Sequence, residues 1–316
     1  MPGIDLSPAE RTSSAPELRE DLDSRWYLPE VTVTPALFVK FQHLIYNETG
    51  IWLSESKTAL LCGRLARRLR ALEFKSLRQY YELVSHPEQH EERVRMIDAI
   101  TTNETRFFRE PRHFEYLTGT LLPLWRKLAG QELRSKRVRV WSAGCSSGEE
   151  PYSIAMVLAE NLPACEGWDV RILATDISTR VLAIAQEGIY RIAGSADIPR
   201  DMLQRFMLKG HSEYEGKMKV VREIRDMVEF QRLNLGEDVY PLKDTFDAIF
   251  CRNVLIYFDT TSKTRVVDKL VRHLAPQGLL FIGHAENLHS ITQGLKSVAP
   301  TVYLQSKEKH SLRETR

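Results

Sequence analysis

From residue 137 onward the chain alternates short runs rich in β-branched and aromatic residues with stretches of helical pattern. The runs are RVRVWSA (137–143), DVRILATD (169–176), MVEFQRLNL (227–235), FDAIFCRN (246–253) and GLLFIG (278–283). This alternation constrains the fold most, because strands separated by helices assemble into a parallel sheet wrapped by those helices. The interval after Asp176 is longer than the others, and within it RFMLKGHSEYEGKMKVVREI (205–224) reads as strand, Gly-bounded turn and strand. A small antiparallel insertion is expected there.

Upstream, Phe38, Phe41 and Ile45 recur at i, i+3 and i+7, and Leu61, Leu65, Leu69 and Leu72 at i, i+4, i+8 and i+11. Each set marks one apolar helix stripe. The expected organisation is an unpacked, proline-bearing extension over residues 1–34 and an all-helical domain over 35–110. An α/β domain follows over 111–305, with its β insertion at about 205–226, and then a charged tail over 306–316. A chain of 316 residues has room for two domains of ordinary size.

Charge excludes one class of partner. Lys+Arg number 44 against Asp+Glu 42, so the chain is no basic nucleic-acid coat, and any cationic docking surface must be local. Cys62, Cys145, Cys165 and Cys251 are scattered without a C-x-x-C pair, which suits neither a disulfide framework nor a zinc site. No metal is expected. With no leader-like segment and no run near ~18 apolar residues, a soluble cytoplasmic protein is expected.

The first strand runs into SAGCSSGEEPYSIAM (142–156), where Gly144 and Gly148 bracket a tight turn before an amphipathic helix. Strand, glycine turn and helix form the nucleotide-cradling unit of doubly wound folds. The spacing matches neither G-x-G-x-x-G nor a phosphate loop, and Glu149 and Glu150 at the helix start would repel a pyrophosphate. The ligand should therefore lack phosphate and carry hydroxyls or positive charge. S-adenosylmethionine fits that description.

Other candidates stand at strand ends, since ligands of such sheets sit at the carboxyl edge. Asp176 closes the second strand and suits a ribose acceptor; it also suits an N-cap for the helix that follows. Asn234-Leu235 ends the third run, where an amide can meet an adenine edge or serve a turn. Arg252-Asn253 interrupts an apolar run in CRNVLIYFD, a costly placement unless both face a site.

Taken together, TTNETRFFRE (101–110), VWSAGCSSGEEPYSIAM (140–156), ATDIS (174–178), FDAIFCRNVLIYFD (246–259) and GLLFIGHAEN (278–287) resemble the chemotaxis receptor glutamate methyltransferases, CheR. The similarity spans roughly residues 35–305. It implies a Rossmann-like class I methyltransferase domain with an N-terminal all-helical domain and a small antiparallel β insertion. The implied reaction is S-adenosylmethionine-dependent methyl esterification of glutamates in the cytoplasmic helical bundle of chemoreceptors, releasing S-adenosylhomocysteine. Cofactor contacts implied by the resemblance are Asn103, Thr105, Arg109, Glu150, Asp176, Asn234, Leu235, Arg252 and Asn253. Tyr257 matches the tyrosine placed near the methyl group.

A glutamate carboxylate, with a reference pKa of ~4.3, is already ionised at neutral pH, so the transfer needs alignment and no general base. Arg109 is the candidate to orient that carboxylate through its planar fork. Arg64, Arg67 and Arg70 recur at i, i+3 and i+6; such a row is commonly a solvated helix face, and the resemblance makes it a candidate receptor-docking patch. The turn bounded by Gly210 and Gly216 is similar to the one with which some members hold a receptor's C-terminal pentapeptide, though HSEYE stands within it. A monomer without nucleic-acid partner or membrane insertion is expected. The competing readings are a small-molecule or RNA methyltransferase and a non-catalytic S-adenosylmethionine-binding signalling module. His284, Cys145 and Cys251 need no chemistry in any of them.

Overall fold

A computed structural model describes residues 32–288, 291 and 294–305. The expected tail over 306–316, and the expected extension apart from residues 32–34, lie outside the described residues.

Four helices open the described chain: α1 (Pro35–Thr49), α2 (Thr58–Ala71), α3 (Leu77–Ser85) and α4 (His90–Ile100). α1 starts where Thr34 accepts the Leu37 N–H and Pro35 takes the first turn, and it stops at Gly50, whose φ of 73° is left-handed. Phe38, Phe41, Ile45, Leu61, Leu65, Leu69, Tyr80 and Met96 bury one another in a core of their own. Glu92 is sunk in this module, where it accepts from the Tyr80 hydroxyl and takes both a 2.9 Å and a 2.7 Å bond from Arg68.

The next helix is continuous but changes pitch. α5 (Pro111–Tyr116) passes through a π segment (Leu117–Leu121) into α6 (Leu122–Gly130), with the Leu122 N–H reaching Leu117 O. Pro123 has no N–H to give and its ring would crowd the carbonyl four residues back, so the wider turn accommodates it.

Seven strands form the main sheet: β1 (Arg137–Ala143), β2 (Asp169–Asp176), β6 (Val228–Arg232), β7 (Phe246–Cys251), β8 (Leu274–Ile282), β9 (Leu295–Ala299) and β10 (Val302–Gln305). Their order is β6-β2-β1-β7-β8-β10-β9, parallel through β8 and antiparallel beyond. Alternate residues divide between two faces. Val138, Val140 and Phe250 pack under α5, α6 and α7 (Glu149–Asn161), whereas Trp141, Ile249 and Cys251 pack under α11 (Thr260–Arg272). The chain between β2 and β6 holds α8 (Thr179–Glu187), α9 (Arg200–Phe206) and α10 (Arg222–Arg225) around a second sheet. That sheet has three antiparallel strands in the order β3-β5-β4: β3 (Ile189–Arg191), β4 (Met207–Lys209) and β5 (Lys217–Val220).

Three expectations are corrected here. The insertion reaches back past 205–226, because β3 completes its sheet from Ile189. The third and fourth runs stop early, at Arg232 and Cys251, so Asn234, Leu235, Arg252 and Asn253 stand in loops beyond the strands. The antiparallel pair β9–β10 was not expected at all.

Candidate functional site

The carboxyl edge of the parallel strands opens into a cavity of about 600 Å³ whose other wall is the helical module. Asn103, Thr105, Arg109, Glu150, Asp176, Asn234, Leu235, Arg252, Asn253 and Tyr257 all line it. Arg64, Arg67 and Arg70 do not. Among the described residues no histidine or cysteine lines it either.

The floor is the turn from β1 into α7. Gly144 N and Cys145 N both donate to Thr175 O, at 2.7 and 2.9 Å, which ties the turn to β2. Gly144 has φ 83°, and a Cβ there would run into the Val254 side chain, so glycine is required twice over. Ser146 then gives its N–H to Asp176 Oδ2 at 2.9 Å and its hydroxyl to Asn103 O at 2.9 Å. Asp176 Oδ1 accepts from Ser178 N at 2.9 Å. Burial pushes the Asp176 carboxyl up, against the pull of these N–H groups. Each oxygen keeps a second lone pair, so the bonds orient the carboxylate without exhausting its acceptors. Of the two glutamates at the start of α7, only Glu150 reaches the cavity.

Behind Glu150 lies a buried charge network. Arg252 places Nη1 3.3 Å from Glu150 Oε2 and Nε 3.3 Å from Glu110 Oε2, and its Nη2 bonds Arg109 O. Ser142 Oγ adds a 2.7 Å bond to Glu150 Oε1. Burial raises the Glu150 carboxyl, with Arg252 and Ser142 opposing. For Glu110 the balance falls the other way. Burial pushes it up, but the His284 N–H and the Arg252 guanidinium outweigh that and hold it below its ordinary range.

The segment carrying Arg109 is strained. Phe108 and Glu110 on either side have φ 50° and 58°, in the left-handed region. The Phe108 N–H is fixed by Ser153 Oγ at 2.9 Å, and the Glu110 carboxylate by Asn253 Nδ2 and His284 N. Arg109 itself bonds Glu104 O at 2.9 Å and lines the cavity. Glu286 plays a matching part on the far side, accepting from Asn253 N, Ile256 N and Gly283 N.

Sequence reasoning missed Glu110 and Glu286. Both stand inside the motifs quoted above, one residue after Arg109 and within GHAEN, but an acid at a loop looks solvated until its donors are seen. Glu110, His113 and His284 also bring their polar atoms within 4.8 Å of one another. Burial, then Arg252, depresses the His113 pKa to about 4, so this ring is neutral.

The Asn234 amide also serves as a strut to α1: Nδ2 donates to Glu48 O at 2.7 Å and Oδ1 accepts from Gly236 N at 2.8 Å, and each atom keeps a second hydrogen-bonding position at the cavity the residue lines. One expected grouping is corrected: the arginine row divides. Arg64 turns inward to bond Ile100 O and, at 3.0 Å, Thr102 Oγ1, while Arg67 and Arg70 remain exposed.

Carboxylates and backbone dipoles without a phosphate cradle suit a ligand with hydroxyls and a positive centre.

Two family models cover the chain: "CheR methyltransferase, all-alpha domain" matches residues 36–101 and "CheR methyltransferase, SAM binding domain" residues 103–304. The chain is similar to "Chemotaxis protein methyltransferase 2" of Pseudomonas aeruginosa, 42% identical over 84% of this chain and 91% of the relative. It is also similar to "Chemotaxis protein methyltransferase" of Salmonella typhimurium, 39% identical over 88% and 93%.

Proposed function

Because the chain belongs to the CheR methyltransferase family, we propose that it transfers a methyl group from S-adenosylmethionine to glutamate side chains of chemoreceptor cytoplasmic helices, forming methyl esters. One observation carries the reading: ten residues from five separated segments of the chain meet in a single cavity at the sheet's carboxyl edge. The alternatives of a small-molecule or RNA substrate, or of a silent binding module, have no comparable support.

In this reading Asp176, held in place by Ser146 and Ser178, accepts the ribose hydroxyls. Glu150 faces the positive end of the cofactor, and Leu235 supplies an apolar surface for the base. Asn103 and Thr105 close the cavity from the segment joining the two modules. Bound S-adenosylmethionine supplies an electrophilic methyl on a sulfonium. Arg109, fixed by its strained segment, orients the incoming carboxylate. Tyr257 borders the path of the methyl group. One carboxylate oxygen forms the new C–O bond as the C–S bond breaks and its electron pair returns to sulfur, so no proton moves. Positioning alone can supply several of the ~7–11 kcal/mol available from proximity.

The protein would work in the cytoplasm as a monomer, and no described helix is long and apolar enough to cross a membrane. A receptor pentapeptide would add to the outer edge of β4, which among the described residues pairs only with β5 and exposes Leu208. The test is incubation with tritiated methyl donor and a receptor cytoplasmic fragment. Label released as methanol in mild alkali supports an ester; alkali-stable label, or none, refutes the reading.

A further inference from the structure

Trp52 and Ile256 are large apolar side chains left 45% and 48% exposed, and both border the cavity, one from each module. Isolated exposed apolar residues are ordinary. These two are held together. Ile51 makes an antiparallel bridge with Phe258, and the Trp52 N–H donates to Tyr257 O at 3.1 Å, so the residues around them are joined main chain to main chain. The indole is braced from behind by Tyr46, edge-on at 5.6 Å, whose hydroxyl is anchored to Asp259 Oδ2 at 2.9 Å.

Beside this rim, Lys57, Leu60, Arg64 and Arg67 share one face leading into and along α2, and Lys57 and Leu60 line the cavity. Lys57 and Arg67 are exposed and have no ion pair among the described residues. A fixed apolar ledge flanked by free cations complements an acidic amphipathic helix. On such a helix a residue three or four positions from the one entering the cavity lies one turn away, about 5.4 Å along the axis. That is the setting of a residue lying over the rim while its neighbour reaches inward.

We propose that Trp52 and Ile256 form a platform for the apolar residue one helical turn from the methylated glutamate, and so select which glutamate of a receptor helix enters the cavity. This rests on the reading of the substrate given above. The platform acts by contact with that apolar residue, so its loss should be felt only by substrates that carry one.

The experiment is a double-mutant cycle between Trp52→Ala and an apolar-to-Ser change one turn from the target glutamate in a receptor fragment. Methylation kinetics and S-adenosylmethionine affinity are both measured. Each single change should raise the receptor KM about tenfold, as for one lost apolar contact, and the pair should do little more than either alone. Trp52→Phe should restore most of the loss. Strictly additive effects, or a fall in cofactor affinity as large as the rise in receptor KM, would overturn the platform. If the unaltered protein methylates no receptor helix, the functional reading itself fails, which is a separate outcome.

Discussion

Asp176 and His113 are both buried and titratable, yet their surroundings call for opposite tests. Asp176 accepts from two backbone N–H groups aimed at it and is the proposed ribose acceptor. Asp176→Ala should weaken S-adenosylmethionine binding by ~1.5–3 kcal/mol, the usual contribution of hydrogen bonds to a charged group. Calorimetry showing unaltered affinity in a folded variant would remove it from the site. His113 is held neutral by burial and by Arg252. Its folded pKa of about 4 lies below the unfolded value, so the unfolded chain binds the extra proton between about pH 6.5 and 4. Stability from this ring is therefore complete above pH 6.5 and lost as pH falls toward 4, by up to about 1.4 kcal/mol per unit. Urea denaturation at pH 7 and pH 5 should show the loss in the native protein and a smaller one in His113→Asn. Neither Glu110 nor the neutral state of His113 was legible in the chain. The neutral ring owes most to burial and then to Arg252, and the Glu110 carboxylate is held by the His284 N–H and by Arg252; these partners lie far away in sequence and meet only through the fold.

The elements that were legible are those whose burial writes a pattern. β1 and β2 match their expected bounds, since nearly every residue toward their carboxyl ends is buried. β9 was missed for the converse reason: its three middle residues are exposed, so it carries no apolar run. β3 is three residues long and only one of them is buried, too little to distinguish from a turn. The turn from β1 into α7 was visible through its glycines, although not for the reason that matters most. Gly144 faces Val254 from the loop after β7, a neighbour that spacing within the motif cannot reveal. Gly144→Ala should cost at least ~1–2 kcal/mol for a left-handed non-glycine residue, plus displacement of Val254. A thermal melt should record that loss, and cofactor affinity should fall with it. A variant with native melting temperature and native affinity would show that the turn tolerates a side chain.

At the scale of the whole molecule, the two modules are joined by polar contacts that differ in kind. Thr179 Oγ1 donates to Asp98 Oδ2 at 2.7 Å, Asn234 reaches Glu48 O, and Tyr46 reaches Asp259. Within the helical module, Arg64 braces the end of α4, so the arginine row read from α2 does not act as one surface: its first member is internal. The receptor-docking proposal therefore rests on Arg67 and Arg70. Reversing both charges should raise the receptor KM and leave S-adenosylmethionine affinity alone. Added salt should imitate the change, because exposed charges are screened over ~10 Å at 0.1 M. Equal salt dependence in the native and reversed proteins would return these arginines to plain solvation.

The bridge between Ile51 and Phe258 consists of main-chain pairing, reinforced by the Trp52 amide on the Tyr257 carbonyl. Main-chain atoms are the same whatever side chains they carry. The gap between the walls can thus be inherited intact while the residues displayed beside it drift.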